Sequence, residues 1–155
     1  MKQSANDDAI QNQMRPGVIT LDGLLGQDRR KVRDILDADD AAVRRLGLTH
    51  AAIAARMREL CAAGARGLGQ PLRVLDHFEV RVDSVRGKLP CPFLHRGLYP
   101  KDFIEVCNLD SGEQVSFSEL NIHLIEAHGF YEGLGAPFRQ DPERLARVLE
   151  IADAQ

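Results

Sequence analysis

The stretch that decides the fold is residues 88–131, KLPCPFLHRGLYPKDFIEVCNLDSGEQVSFSELNIHLIEAHGFY. It contains three of the five histidines and two of the three cysteines of the chain. Four of these side chains form two close pairs, C-x3-H at Cys91 and His95 and H-x4-H at His123 and His128. Zinc prefers thiolate and imidazole ligands in a tetrahedral arrangement, and proteins often provide them as two local pairs joined by a longer segment. The pattern therefore predicts a metal site at these four residues, with zinc as the favoured ion.

The segment between the two pairs predicts a β-hairpin followed directly by a helix. Residues 103–107 and 113–115 are β-prone, and the Asp-Ser-Gly sequence between them is typical of a tight turn. Ser116 and Glu119 match the S-x-x-E capping box, which predicts a helix start at the end of the hairpin. Gly129 is a natural residue to end that helix. This order of elements is that of a zinc-finger-like module.

Several features of the pattern leave other interpretations open. Residues five apart on a straight helix lie about 140° apart around its axis, so His123 and His128 can share an ion only if the last turn is distorted. The first pair is Cys-His where zinc fingers have Cys-Cys, and Cys107 could replace one ligand. Without a metal, Cys91 and Cys107 would be small core residues and His123 would form hydrogen bonds within its helix. His95 would then lie on the surface together with His128.

The residues before this stretch predict two helices and a strand. Apolar residues at helical spacing indicate one helix that begins at Asp28 and ends before Gly47, and a second that begins at Thr49. These helices are expected to pack as an αα-hairpin, although LGLTHAAIAARM also resembles the first half of a helix-turn-helix. The glycine-rich segment 64–71 is the best internal boundary, and the alternation of residues 78–83 indicates a half-buried strand.

The predicted fold class is therefore α+β. An N-terminal αα-hairpin packs against a small antiparallel sheet of three to four strands, followed by the zinc-finger-like module and a C-terminal helix that begins at Asp141. Residues 1–13 are polar and predict a mobile tail. Residues 14–155 predict a single domain, with a mainly helical lobe at 14–70 and an α+β lobe at 71–155.

Composition narrows the classes of function. The net charge of -3 gives no positive excess for binding phosphates, so nucleic acid is an unlikely partner. No apolar run reaches the roughly 18 residues that span a bilayer, and the N-terminus lacks the apolar segment of a secretory signal. We therefore expect no membrane association and a cytoplasmic location. Three cysteines without framework spacing favour reduced thiols over disulfides.

The leading functional interpretation is a small cytoplasmic regulatory or interaction protein, which a zinc ion stabilises and which has a protein partner. A metal-dependent hydrolase that uses the same pocket, with Glu126 or Glu132 as general base, is the alternative. Nucleic-acid binding is the third. The sequence HLIEAH is not a zinc protease signature, because those motifs place their histidines four apart with glutamate beside one of them.

Two further sites remain open from the sequence. Cys91 and His95 could form a thiolate and base pair, although no third orienting residue is identifiable. The loop 129–140 combines three glycines, two aromatic residues before position 132 and Arg139. Arg139 could bind a small anionic ligand or the loop could dock a partner, whereas an ordinary connector between two helices is the favoured interpretation.

Overall fold

The computed structural model describes residues 3–152 and has the predicted α+β fold, with five helices and six strands within that range. The helices are α1 (Ala5–Gln13), α2 (Val32–Arg45), α3 (His50–Ala65), α4 (Glu119–His128) and α5 (Pro142–Val148). The strands are β1 (Leu72–Val74), β2 (Phe78–Asp83), β3 (Lys88–Pro90), β4 (Leu98–Pro100), β5 (Phe103–Asn108) and β6 (Gln114–Ser118). Among these helices, none has the length and apolar character needed to cross a membrane.

Two antiparallel sheets form the β part of the fold. The larger sheet has the strand order β1-β2-β5-β6, and Val80 pairs with Val106, which in turn pairs with Val115. These three valines lie on the buried face, which α3 covers. The smaller sheet consists of β3 and β4, with Leu89 opposite Tyr99. We call residues 88–100, which include the turn between these strands, the ribbon.

The apolar interior is divided into two clusters. The first lies between α3 and the large sheet and includes Met57, Leu60, Phe78 and Phe117. The second lies beneath the ribbon and joins α1, α2 and α4 to Cys91. Its buried members are Ile10, Met14, Leu24, Val32, Ile35, Cys91, Leu120, Leu124 and Phe130. The second cluster therefore connects the N-terminal part of the chain to one of the predicted ligands.

The N-terminal segment differs from the predicted mobile tail. It forms α1, whose first turn is capped by Ser4 through a hydrogen bond from the Asp7 N–H. Ile10 is buried in the second cluster, and the Gln11 side chain donates to the Arg30 carbonyl at 3.0 Å. The single apolar residue of the segment thus has a partner surface that the sequence pattern does not reveal. Residues 1 and 2 of the predicted tail lie outside the described residues.

The start of α4 also differs from the prediction. Ser116 lies within β6 and pairs with Glu105, so the capping residue is Ser118. Asn121 then takes the place predicted for Glu119: its side-chain oxygen accepts from the Ser118 N–H at 2.9 Å, and the Ser118 hydroxyl accepts from the Asn121 N–H. Asparagine can close a capping box as glutamate does, because it also has a side-chain acceptor.

The first helix of the predicted hairpin begins later than predicted, and it packs mainly on α1 and α5, whereas α3 packs on α4 and β2. Lys31 is the capping position of α2, because the Asp28 carboxylate is instead bonded to the backbone and side chain of Arg30. The predicted caps Thr49 and Asp141 are confirmed, since each side chain accepts from a backbone N–H three residues later. The division of residues 14–155 into two lobes of one domain stays a prediction.

Candidate metal centre

The fold brings the four predicted ligands to one place between the ribbon and α4. Cys91 directly follows β3, and His95 lies in the turn that leads to β4. His123 and His128 lie on the last two turns of α4. Every one of the four ligand atoms lies within 4.8 Å of the others. These side chains could therefore hold a metal ion.

The distances between the atoms fit a small coordination sphere. His95 Nε2 lies 3.0 Å from His128 Nε2 and 3.1 Å from His123 Nε2, and Cys91 Sγ lies 3.4 Å from His128 Nε2. The bond lengths of tetrahedral zinc imply separations of about 3.3 Å between two nitrogens and about 3.6 Å between sulfur and nitrogen. These three separations are thus within a few tenths of an ångström of a tetrahedral edge, and the other three pairs of ligand atoms lie within 4.8 Å.

The end of α4 explains how histidines five apart can meet. The Gly129 N–H points at the carbonyls of both Ile125 and Leu124, and the Phe130 N–H bonds to the Leu124 carbonyl at 3.0 Å. α4 is α-helical to His128, and these bonds close it at Gly129, whose φ of 63° is in the left-handed region. His95 of the ribbon approaches both helix histidines, with its Nε2 3.0 Å from His128 Nε2 and 3.1 Å from His123 Nε2, so the three rings form one group.

Two aromatic side chains hold the imidazole rings of α4. Phe93 stacks on His128 with ring centroids 4.1 Å apart, and Tyr99 stacks on His123 at 3.9 Å. Gly97 stands beside Tyr99, and a Cβ there would lie 3.0 Å from the Tyr99 hydroxyl oxygen. The sequence analysis missed both aromatics. Their positions close to the first pair of predicted ligands could have indicated this role. Phe93 lies two residues after Cys91, and Tyr99 lies on β4, which follows the turn that contains His95.

The third histidine is oriented through its other nitrogen. His95 Nδ1 lies 2.9 Å from the Arg96 carbonyl oxygen. Since a carbonyl only accepts, Nδ1 must carry the hydrogen, and Nε2 keeps its lone pair toward the centre of the group. Metal-binding histidines commonly have such a second contact, which fixes the tautomer and the ring. The Phe93 N–H likewise donates to Cys91 Sγ at 3.4 Å.

The electrostatic surroundings disfavour charged imidazoles. Burial lowers the pKa of His128 to about 4, and the neighbouring His123 and His95 act in the same direction. Burial also lowers the pKa of His123, again with a contribution from His95. Burial raises the pKa of the Cys91 thiol, whereas the Phe93 N–H opposes this change. A bound cation would reverse only the effect on Cys91, because its charge favours the thiolate, and it would add to the lowering of the pKa values of the two histidines.

The other thiols of the chain are outside this group. Cys107 lies on β5, opposite Glu79 of β2 and Gln114 of β6, and is therefore not placed to replace a ligand. Cys61 is buried on α3, where burial raises the pKa of its thiol to about 11. Cys91 is also 4% exposed, which does not suit an open nucleophilic site.

A second set of metal-ligand types lies at the far end of the large sheet. It consists of His77, Asp110 and Glu150. His77 Nε2 is 2.8 Å from a Glu150 oxygen and 4.0 Å from an Asp110 oxygen, and the Asn108 amide donates to the same Glu150 oxygen at 2.8 Å. Ordinary hydrogen bonds of the His77 ring and the Asn108 amide to Glu150 explain these contacts, and both carboxylates are exposed.

The glutamates proposed as general bases do not join the four ligands. Glu126 is held by Arg58 through contacts of 2.8 and 3.3 Å, and Glu132 is buried on the loop after α4. Arg139 has both terminal nitrogens on Asp39, at 2.6 and 2.8 Å. An anion at this guanidinium would therefore have to compete with a carboxylate.

A large cleft adjoins the group on the His123 side. Its volume is about 990 Å³, and its walls include His123 and Tyr99 together with Glu119 and Glu126. Burial raises the pKa of Glu119, and nearby Asp102 adds to this effect. The cleft thus places carboxyl groups beside one ligand of the candidate metal centre.

Comparisons with known proteins add no information about the function of this site, which is therefore inferred from its geometry. No known family, curated protein or solved structure matches the chain significantly.

Proposed function

We propose that this chain is a small cytoplasmic regulatory or interaction protein in which a zinc ion fixes the ribbon to α4. The observation that most directly supports the proposal is the convergence of one sulfur and three imidazole nitrogens from two separate parts of the chain. A thiolate and imidazole set suits zinc, whereas magnesium and calcium prefer oxygen ligands. Four protein ligands close a tetrahedral sphere, as in structural zinc sites.

The ribbon needs such an ion for its own stability. Its two strands are three residues long, and an isolated two-stranded hairpin is marginally stable in water. Within the ribbon, Cys91 is buried and Leu89 is packed against the second cluster, whereas residues 94–98 are all exposed. A zinc ion would connect this exposed turn to a helix that is itself packed on α3.

The exposed turn is the surface that we assign to a partner. Leu94 and Leu98 are 50% and 62% exposed, and Arg96 lies between them. Lys88 on the neighbouring strand is exposed as well. Apolar side chains flanked by cations favour a protein segment that presents apolar groups and carboxylates.

Cobalt substitution tests the coordination. The protein is refolded with Co²⁺ in place of zinc, and its visible spectrum is compared with that of the His95→Ala variant. We expect strong tetrahedral bands with a thiolate charge-transfer band, and a change of these bands in the variant. A spectrum of five- or six-coordinate cobalt in the unmodified protein would contradict the structural site.

Affinity capture tests the assigned surface. Three baits are compared: the unmodified chain, Leu98→Ser on the ribbon, and Leu68→Ser, a control that changes a leucine 90% exposed after α3. A specific partner should be lost with Leu98→Ser and after chelation of the metal, but retained with Leu68→Ser. Identical recovery with all three baits would exclude this surface.

A metal-dependent hydrolase is the second candidate, and the cleft beside His123 favours it. A catalytic ion needs an open coordination position, which His95 would have to vacate because it is the exposed ligand. Five-coordinate cobalt together with activity that is lost in Glu119→Gln would support it. Nucleic-acid binding remains the third proposal, and a steep loss of affinity with added salt would be its signature.

A further inference from the structure

A second cavity lies on the opposite end of α4 and shares no residue with the four-residue group. Its volume is about 190 Å³. The walls are mainly apolar, with Leu24, Leu89, Phe103, Leu120 and Phe138 as members. Leu24 and Leu120 are buried, whereas Leu21, Asp22 and Lys101 at the edge are exposed, so the edge is the opening. The cavity is thus an apolar space with access from solvent.

One acidic side chain extends into this apolar space. Glu132 is 3% exposed and lines the cavity. Its Oε2 accepts a 2.6 Å hydrogen bond from Asn121 Nδ2. The orientation of that amide is determined, because Asn121 Oδ1 accepts from the Ser118 N–H and Nδ2 must therefore donate. Among residues 3–152, no group donates a hydrogen bond to the other oxygen, Oε1.

The surroundings keep Glu132 in this place. Arg139 donates to the Glu132 carbonyl oxygen at 2.9 Å, and the guanidinium is itself fixed by the buried Asp39. Glu132 also has a φ of 66°, a region that non-glycine residues seldom occupy. Oε1 is not fully enclosed, because it is not among the buried side-chain atoms that lack a hydrogen-bond partner, and Glu132 lines the cavity. A donor on a ligand in the cavity would therefore have an acceptor there.

We propose that this cavity binds a small primary amine, whose ammonium group donates to Glu132 and whose apolar chain fills the space. An ammonium has three donors and no acceptor, so it suits the free oxygen of a carboxylate. A water molecule in liquid takes about 30 Å³, so the cavity volume matches a chain of only a few carbon atoms. Asp22 and Asp102 at the edge outnumber Lys101, which favours a cation.

The raised pKa of the Glu132 carboxyl group agrees with this assignment. Burial raises the pKa of Glu132 to about 7, although Asn121 and Arg139 act in the opposite direction. Perturbed carboxyl groups in mainly apolar pockets are typical of binding sites. An ammonium ion would return the group to its charged form.

The test is a titration of the purified full-length protein with n-pentylamine hydrochloride, followed by backbone amide NMR. Pentan-1-ol and pentanoate serve as neutral and anionic probes of similar length. We expect saturable shifts confined to residues around Glu132, and binding of the alcohol and the acid at least about tenfold weaker, because a charge-assisted hydrogen bond contributes roughly 1.5–3 kcal/mol. Shifts that do not saturate, or equal binding of the three probes, would overturn the proposal.

Three variants identify the group responsible. Glu132→Gln keeps the shape and the bond from Asn121 but removes the negative charge, and we expect about tenfold weaker amine binding. Lys101→Glu changes a charge at the opening and should strengthen amine binding. Lys88→Glu makes the same change outside the cavity and should leave it unaltered. Equal affinity in Glu132→Gln, or equal effects of the two lysine variants, would refute the assignment. Because the cavity and the metal group share no residue, either proposal can fail without the other.

Discussion

Each imidazole of the candidate metal centre is held by a contact that leaves one nitrogen facing the others. Tyr99 and Phe93 cover two of the rings, and the Arg96 carbonyl binds the third. Such contacts reduce the freedom that a ligand loses on binding an ion. At the scale of single residues, the group is therefore preorganised by neighbours that are not ligands.

Removal of the ring that covers His123 should weaken metal binding. Tyr99→Ala leaves all four ligands in place but frees His123, and loss of an outer contact typically lowers metal affinity by about 10–100-fold. The measurement is zinc affinity by competition with a chromophoric chelator. Leu98→Ala, the exposed neighbour on β4, is the control and should keep the original affinity. Equal affinity in Tyr99→Ala and the control would exclude an orienting role.

The buried glutamate predicts a pH dependence of stability. The pKa of Glu132 is raised from 4.5 to about 7 in the folded chain. Between these pH values the folded state binds more protons than the unfolded state, so the stabilisation is complete below the lower value and is lost as pH rises through about 7. The pKa difference corresponds to about 3 kcal/mol. The charged groups around Glu132 are Arg139, which is paired with Asp39, and Asp22, Lys101 and Asp102, which line the cavity.

The comparison with Glu132→Gln isolates this contribution. Denaturant unfolding at several pH values should show the variant gaining up to about 3 kcal/mol relative to the unmodified chain between pH 4.5 and pH 8. Metal loss on acidification affects both proteins alike, since both retain the same ligands. A constant difference across this range would show that Glu132 does not titrate as described.

At the scale of elements, the C-terminal end of α4 determines the site. The helix ends at Gly129, which is in the left-handed region, and α3 limits the space there because His50 lies against it. His50 is in turn fixed between Asp40 and Tyr131, at 3.0 and 2.8 Å. The helix end that presents His128 is thus set by the packing of α3.

Gly129→Ala should destabilise the protein more than an ordinary glycine substitution at positive φ. The left-handed conformation costs a non-glycine residue roughly 1–2 kcal/mol, and the new Cβ would lie 2.9 Å from His50 Nε2. Gly112→Ala is the matched control, because its φ is 76° with no atom within 4 Å of the added Cβ. The free energy of unfolding should fall further in Gly129→Ala than in Gly112→Ala, because only the first variant adds a close contact with His50. Equal losses would show that this contact is unimportant.

At the scale of the whole molecule, local signals predicted the α+β order and four side chains that lie close together, whereas α1 depends on packing and was not predicted. The hairpin, the helix end at Gly129 and the α+β order follow from turn and capping residues, which act over a few positions. The burial of Ile10 and the stacking of Tyr99 depend on surfaces supplied by distant residues. Ser116 was predicted as the cap of α4, but the cap is Ser118. The reason is that β6 pairs with β5 through residue 118, so the strand is longer than the sequence pattern indicated.

The two sequence spacings, C-x3-H and H-x4-H, meet at a common site only because the ribbon and α4 lie side by side. That adjacency is a property of the complete fold. The second cluster provides it, since it joins α1 and α2 to Cys91 and to the buried face of α4. The ion we propose would connect the same two elements from the solvent side.

Elemental analysis of protein purified without a histidine tag tests the central claim most directly. The unmodified chain is compared with His123→Ala and with the control His77→Ala, which removes a histidine of the second set of ligand types. We predict about one zinc ion per chain in the unmodified protein and in the control, and its loss in His123→Ala. Protein without metal after growth in zinc-supplemented medium, or full retention in His123→Ala, would contradict the account.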